Sequence, residues 1–168
     1  MSELILRNHP SYVINYVNDL AHKKEVLPNL HTYELFMYLF LCNLLVCIVA
    51  VATGKIPFLF IPALLCINNG YNLGLGIAVA KIHKLNTLSF LLFGIIPHGM
   101  FEIPALIYAV SIGIYLSKMN TLAVVKNRPK QKHKPEIKKS FIFIIIPLLL
   151  IAALIESFIT PILITFIK

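Results

Sequence analysis

The sequence has few charged residues, and few of these are acidic. Charged side chains make up 13% of the 168 residues, about half the fraction typical of soluble proteins, and only 7 are Asp or Glu. Tryptophan is absent and there are 3 cysteines. Cys42, Cys47 and Cys66 form neither a CxxC pair nor a disulfide framework, so we interpret them as small apolar core residues. The first thirty residues lack the pattern of a cleavable signal peptide, so the first apolar segment is expected to direct insertion itself.

What the sequence has in abundance is long apolar segments. Hydrophobic residues make up 58% of the chain and the mean hydropathy is +0.83. Segments of roughly 17–25 apolar residues are long enough to span a bilayer. We therefore predict an all-α, polytopic integral membrane bundle with four to five membrane segments. One membrane domain is expected over residues 34–168, preceded by an amphipathic cytoplasmic or interfacial segment over residues 1–33.

The apolar segments are expected near residues 35–53, 56–80 and 140–167, with a further one between the last two. The second of these contains Asn69, Gly70 and Gly74. Small residues allow helices to approach closely and amides hydrogen-bond between helices, but two adjacent Asn before Gly could also mark a local break. In the last segment, Pro147 and Pro161 allow kinks.

Residues 86–117 are too long for one perpendicular crossing. As a straight helix these residues would extend ~48 Å, whereas the hydrocarbon core is ~30 Å thick. Pro97-His98-Gly99 lies near the middle, and Pro104 suits the first turn of a new helix. We predict a re-entrant helical hairpin with its turn at Pro97-His98-Gly99. The hairpin would place both the N-terminus and the 118–139 loop in the cytoplasm, in line with the positive-inside rule.

The net charge of +8 is concentrated in that loop. Between Lys118 and Lys139 there are eight basic residues and one acid, Glu136. A polybasic loop beside a membrane sets the orientation of the chain, and it also attracts anionic lipid heads. Nucleic acid is not expected as a partner, because the loop has no interleaved aromatic residues and no recognisable binding module.

Two glutamates lie within apolar segments, Glu102 and Glu156. A carboxylate at bilayer depth costs roughly 2.5–3.5 kcal/mol on insertion scales, so each needs a partner. His98, four residues before Glu102, is the nearest candidate. Three hypotheses follow: His98 and Glu102 form a structural hydrogen-bonded pair; His98, Glu102 and Glu156 bind a divalent metal such as zinc; or the carboxylates move protons or cations. In the metal hypothesis Glu102 or Glu156 is also the candidate catalytic base.

Three motifs resemble those of the stage II sporulation protein M family. Residues 97–105, PHGMFEIPA, resemble its P-H-G-hydrophobic-hydrophobic-E-L-P-A motif, and residues 153–161, ALIESFITP, resemble its A-L-I-E-A-F-hydrophobic-T-P motif. Asn69-Gly70 followed by Gly74 is similar to its N-G-x-x-x-G. Ile103 and Ser157 depart from the usual Leu and Ala. The structural polar or backbone positions expected from the motifs and spans are Asn43, Asn69, Gly70, Gly74, Pro97, Gly99, Pro104 and Thr160.

The resemblance implies a polytopic membrane protein of bacteria or archaea. The sporulation member of that family is associated with forespore engulfment, together with peptidoglycan-degrading partners. Small stand-alone relatives resemble proteins encoded beside circular-bacteriocin genes. The resemblance therefore implies a role in the maturation or export of a peptide, in immunity, or in remodelling of the cell envelope.

The sequence contains no ATP-binding loop, no large soluble domain and no strong catalytic motif. We therefore expect an accessory membrane component that works with other membrane proteins such as a transporter, on a peptide substrate, and that could form a homo-oligomer. The alternative is a metal-dependent membrane hydrolase or peptide-processing enzyme that uses His98, Glu102 and Glu156. A second alternative is a proton- or cation-coupled transporter.

Overall fold

The computed structural model describes residues 31–58, 61–82, 84–127 and 134–166, and every regular element among them is helical. This confirms the all-α prediction. The amphipathic segment predicted over residues 1–33 lies outside the described residues, except for its last three.

Four long helices form the bundle. Helix α1 is Thr32–Thr53, α2 is Ile61–Ile82, α3 is Thr87–Val125, and α4 covers residues 134–164. The start of α1 is fixed by the Glu34 carboxylate, which accepts a hydrogen bond from the His31 N–H at 2.9 Å. At the start of α3, the Asn86 side-chain oxygen accepts from the backbone N–H of Leu88 and Ser89 at 3.0 and 3.3 Å. Both satisfy donors that a helix start leaves free.

Three of these helices, α1, α3 and α4, are long and apolar enough to cross a membrane. Their large apolar side chains point mostly outward; Leu45, Met100 and Phe143, for example, are exposed. Soluble proteins rarely expose so much apolar surface, whereas in a membrane lipid tails would cover it. The helices pack through small residues instead, as is usual in membranes. The fully buried small residues include Ala50, Ala78, Ala105, Ala109, Ala152 and Ala153.

Three short π-helical segments interrupt α3 and α4, and each ends two residues before a proline. The segments are Phe90–Ile95, Phe141–Ile145 and Ile155–Ile159, and they precede Pro97, Pro147 and Pro161. Proline lacks an N–H and its ring clashes with the carbonyl four residues earlier. A wider π turn at this point relieves the clash without ending the helix. The irregularity expected at Pro147 and Pro161 therefore takes the form of π turns.

The predicted hairpin turn at Pro97-His98-Gly99 is wrong. These residues are helical, and α3 continues through them and through Pro104 without a reversal. The π segment just before Pro97 absorbs the proline, so the chain needs no turn there. At 39 residues α3 extends for ~58 Å, so it exceeds the ~30 Å hydrocarbon core.

Because α3 does not reverse, the start of α1 and the basic ends of α3 and α4 lie at opposite ends of the bundle. Gly54, at the end of α1, packs on Gly113 of α3, whereas the end of α4 packs on the π segment at Phe90–Ile95. One end therefore holds residues 54–58 and the polybasic region, and the other holds the starts of α1 and α3. This arrangement differs from the predicted one, in which the N-terminus and the 118–139 loop both lie in the cytoplasm. The described residues of the 118–139 region are largely helical, because α3 runs to Val125 and α4 begins at residue 134.

Helix α2 corrects two further expectations. It runs unbroken through Asn68-Asn69-Gly70, so the local break is wrong. A Cβ on Gly70 would meet nothing within 4 Å, so none of the described helices approaches closely there. Asn69 donates its amide to the Leu65 carbonyl of its own helix at 3.0 Å. A hydrogen bond within the helix satisfies the amide, and this explains how α2 keeps its geometry.

Candidate metal centre

The three ionisable residues that the sequence singled out meet at one point. His98 and Glu102 lie one turn apart on α3, and Glu156 comes from α4. One ligand atom of each, a ring nitrogen or a carboxylate oxygen, lies within 4.8 Å of the others. The continuous helix makes this possible, because residues four apart share a face only while helix persists.

The cluster lies near the middle of the bundle. Glu102 is eleven residues before Gly113, or ~17 Å along α3, and fifteen residues after Thr87, or ~22 Å. Gly113 is level with the end of α1, and Thr87 begins α3 at the other end. All three side chains are half-buried. Two carboxylates this far from either end of the bundle are costly unless a proton or a cation compensates them.

The position of Glu156 depends on a π turn. Glu156 lies within the π segment Ile155–Ile159, which ends two residues before Pro161. A π turn inserts one additional residue, so it rotates the side chains on either side of it relative to a regular α-helix. Thus the proline in the late motif is linked to the direction in which Glu156 points. His98 likewise lies just beyond the π segment of α3.

Helix α1 completes the surroundings of Glu102. The polar side chain of Asn43 lies next to the Glu102 carboxylate. A cavity of about 10 Å³ adjoins them, close to the smallest space that holds one water. Its lining residues are Asn43, Val46, Cys47, Asn69, Glu102, Leu106 and Leu149. Glu102 is therefore oriented from one side and open to a water-sized space on another.

Two buried polar atoms in this part of the bundle have no hydrogen-bond partner among the described residues: His98 Nδ1 and Thr160 Oγ1. Buried polar atoms in native proteins nearly always have a partner. A divalent ion would explain why His98 Nδ1 has no hydrogen-bond partner, because imidazole nitrogens and carboxylate oxygens are ordinary ligands of zinc and other first-row metals. The residues present therefore fit a metal. The alternative of a purely structural His98–Glu102 pair has no hydrogen bond to support it within the described part of the chain.

The neighbouring hydroxyl groups differ from one another. Ser157 is buried and donates its hydroxyl to the Ala153 carbonyl at 2.7 Å, so its role is structural. Thr160, one turn after Glu156, is buried with a free hydroxyl oxygen.

Sequence reasoning identified the three central residues and missed part of what surrounds them. Asn43 was expected only as a structural polar position, whereas it contacts Glu102 directly. Cys47 is buried, as expected, and lines the small cavity. Cys42 and Cys66 are exposed, so the interpretation of these two as core residues is wrong. A polar residue within an otherwise apolar span, such as Asn43, was the available signal for a contact with a buried carboxylate.

The helices direct their large apolar side chains outward and surround a half-buried polar centre. This arrangement is that of an α-helical integral membrane protein. The chain matches the Stage II sporulation protein M family over residues 6–161, and it belongs to this family. An uncharacterized protein of Methanocaldococcus jannaschii is 32% identical over 124 residues, which are 72% of this chain and 68% of that protein. No solved structure matches the chain.

Proposed function

We propose that this protein is a membrane metalloprotein in which His98, Glu102 and Glu156 bind a divalent cation such as zinc. The observation that carries the proposal is the approach of three ligand atoms, from two helices, to within 4.8 Å of one another at mid-bundle depth. Three protein ligands leave a position open, as in catalytic rather than structural zinc sites. The reaction class that fits is hydrolysis of a peptide substrate within or beside the membrane.

The three side chains have separate roles in this proposal. A bound ion would act as a Lewis acid toward the substrate carbonyl and a water. Glu102 is the better candidate for the general base, because it adjoins the water-sized cavity and is oriented by Asn43. His98 and Glu156 would serve as ligands alone, whereas Glu102 would be both a ligand and, through its second carboxylate oxygen, the base.

The second candidate function is accessory. The described residues consist of helices and short connections, which suits a membrane component that works with partner proteins. Membership of the Stage II sporulation protein M family is compatible with this. In this candidate the protein works with a transporter or a second copy of itself in the maturation or export of a bacteriocin-type peptide, in immunity, or in envelope remodelling. The metal centre would then stabilise the bundle.

The orientation follows from charge. Lys55, Lys118, Lys126, Lys138 and Lys139 lie at or near one end of the bundle, so the positive-inside rule assigns that end to the cytoplasm. With α2 crossing as well, the protein would be a multi-pass protein of the cell membrane with four crossings, and the start of α1 would lie outside. Anionic lipids of the inner leaflet would attract the polybasic region.

Metal content tests the main proposal. We expect the full chain, purified in detergent and dialysed against zinc, to retain about one ion per chain by elemental mass spectrometry. His98→Ala and Glu156→Gln should lose it. Glu136→Gln is the matched control, because Glu136 is an exposed glutamate of the same helix outside the cluster. Equal zinc content in the wild type and all three variants would refute the site.

Activity separates the remaining candidates. If the protein is a hydrolase, Glu102→Gln should be folded and inserted but unable to cleave peptides presented in proteoliposomes. If it is accessory, the wild type should cleave nothing, and Glu102→Gln should instead lower stability or partner binding. Ion flux in proteoliposomes that either glutamate variant abolishes would indicate cation-coupled transport.

Cysteine labelling tests the orientation. In a background without the three native cysteines, Lys126→Cys and Leu85→Cys place one thiol at each end of the bundle. We expect a membrane-impermeant reagent to label Leu85→Cys in intact cells, and Lys126→Cys only after lysis. Labelling of both from the same side would contradict four crossings.

A further inference from the structure

A second, larger cavity lies at the basic end of the bundle, between the end of α1, α3 and the start of α4. Its volume is about 430 Å³, within the range of pockets that hold small ligands. Its lining residues are Val51, Lys55, Leu116, Ile137, Lys138, Phe141 and Ile142. Leu116 is fourteen residues beyond Glu102, or ~21 Å along α3, so this cavity is separate from the metal centre.

The lining combines two ammonium groups with an otherwise apolar wall. Lys55 and Lys138 supply the charge, and none of the described residues that line the cavity is acidic. Glu136, the nearest acid along α4, is exposed and lies outside the lining. A ligand that matches these walls therefore carries negative charge at one end and an apolar chain at the other.

The position of the cavity matches the headgroup level of a membrane. Lys55 follows directly after the apolar helix α1, and Lys138 comes directly before the apolar part of α4. Phe141, one turn further into α4, belongs to the apolar wall. The charged mouth of the cavity therefore lies at the membrane edge, and the wall continues toward the hydrocarbon.

The segment that carries Lys55 is held rigidly. The Asn120 amide donates to the Lys55 carbonyl at 3.1 Å, and the Ser117 hydroxyl donates to the Ile56 carbonyl at 3.3 Å. The Phe58 N–H donates to the Thr121 hydroxyl at 2.8 Å. These three side chains of α3 hold the backbone of residues 54–58 in place. A pre-organised wall lowers the ordering cost that binding would otherwise carry.

We propose that this cavity binds one anionic phospholipid, with its phosphate between Lys55 and Lys138 and an acyl chain along Leu116 and Phe141. Charge complementarity selects an anionic head, and the apolar wall selects a lipid over a free anion. The site differs from general attraction of the polybasic region to lipid, because Lys55 lies outside that region and the lining is built by three helices. The proposal is independent of the metal centre.

Native mass spectrometry of the full chain tests the site. The chain would be purified in a sugar-based detergent and titrated with phosphatidylglycerol, phosphatidylcholine or inorganic phosphate. We expect one phosphatidylglycerol to be retained per chain and phosphatidylcholine to be retained much more weakly. Lys55→Gln/Lys138→Gln should bind phosphatidylglycerol roughly thirtyfold more weakly, given the usual contribution of two lysines near a membrane surface.

Two controls make the result specific. Lys139→Gln/Lys118→Gln removes the same charge from the same end but replaces no lining residue, and it should bind like the wild type. Ile142→Trp narrows the apolar wall at an exposed position and should weaken binding, whereas Phe143→Trp, its exposed neighbour outside the lining, should not.

Three outcomes would overturn the proposal. The first is equal retention of phosphatidylglycerol by wild type and Lys55→Gln/Lys138→Gln, including no retention by either. The second is equal affinity for the two lipids. The third is full competition by inorganic phosphate with no effect of Ile142→Trp, which would identify a free-anion site instead.

Discussion

Gly54 and Gly113 are in backbone contact where α1 ends against α3. A Cβ on Gly54 would overlap the Gly113 carbonyl oxygen, and a Cβ on Gly113 would overlap the Ala50 carbonyl oxygen and lie 2.7 Å from Pro62 Cγ. This contact fixes the relative height of the two helices. It therefore also fixes the level at which Asn43 of α1 meets Glu102 of α3.

Gly113→Ala should destabilise the protein by about 1–3 kcal/mol, the usual cost of forcing an extra carbon into a packed interior. The neighbours that would have to move are backbone and a proline ring, which cannot rotate away. Thermal unfolding in detergent measures the effect. Gly76→Ala is the control, because a Cβ there meets nothing within 4 Å. Equal melting temperatures for the two variants would contradict the contact.

Removal of zinc should lower the melting temperature of the wild type but not that of Glu156→Gln. A ligand that binds only the folded state stabilises it by about 2.7 kcal/mol at a concentration one hundred times its Kd. We expect zinc to raise the melting temperature of the dialysed wild type and a chelator to reverse the shift. Glu156→Gln should respond to neither. A zinc response of Glu156→Gln as large as that of the wild type would place the ion elsewhere.

Asn43→Leu should weaken zinc binding about 10- to 100-fold, the usual effect of removing a polar neighbour that supports a metal ligand. The reason is that Asn43 orients the Glu102 carboxylate. Competition with a fluorescent zinc chelator measures the affinity. Asn72→Leu on α2 is the control, because Asn72 is exposed and outside the small cavity. Unchanged affinity in Asn43→Leu would show that α1 does not support the site.

Pro161→Ala should weaken zinc binding while leaving the protein at least as stable as the wild type. The substitution removes the clash that favours the π turn, so α4 can close into regular helix and turn Glu156 away from His98. Pro161 is exposed, so no core cavity results. Pro147→Ala, which also follows a π segment but lies far from Glu156 in sequence, should leave zinc affinity nearly unchanged. Equal zinc affinity in both variants would separate the π turn from the site.

Much of the fold follows from the sequence because hydropathy is a local property. Segments predicted at residues 35–53, 56–80 and 140–167 correspond to helices α1, α2 and α4. The all-α class and the membrane environment follow from the same apolar segments. The site residues could also be identified from the sequence, because a glutamate in an apolar span is conspicuous.

The failures that concern the backbone share one cause, which is that a proline or glycine is ambiguous until its neighbours are known. Pro97-His98-Gly99 reads as a turn, yet a π segment before it keeps α3 helical. Gly70 looked like a packing glycine and faces open space, whereas Gly113 makes the close contact. The small residues Ala105, Ala109 and Gly113, spaced four apart, were the signal for that contact.

The sequence by itself determined that this chain is a helical membrane protein with His98, Glu102 and Glu156 as its polar centre, because burial of charge is costly wherever the fold places it. Only the tertiary structure decided that α3 passes straight through, that the polybasic end lies opposite the start of α1, and that Asn43 lies next to Glu102 while Lys55 lines a separate cavity. These depend on which helix faces meet, and helix faces meet through backbone contacts and π turns that no single segment specifies.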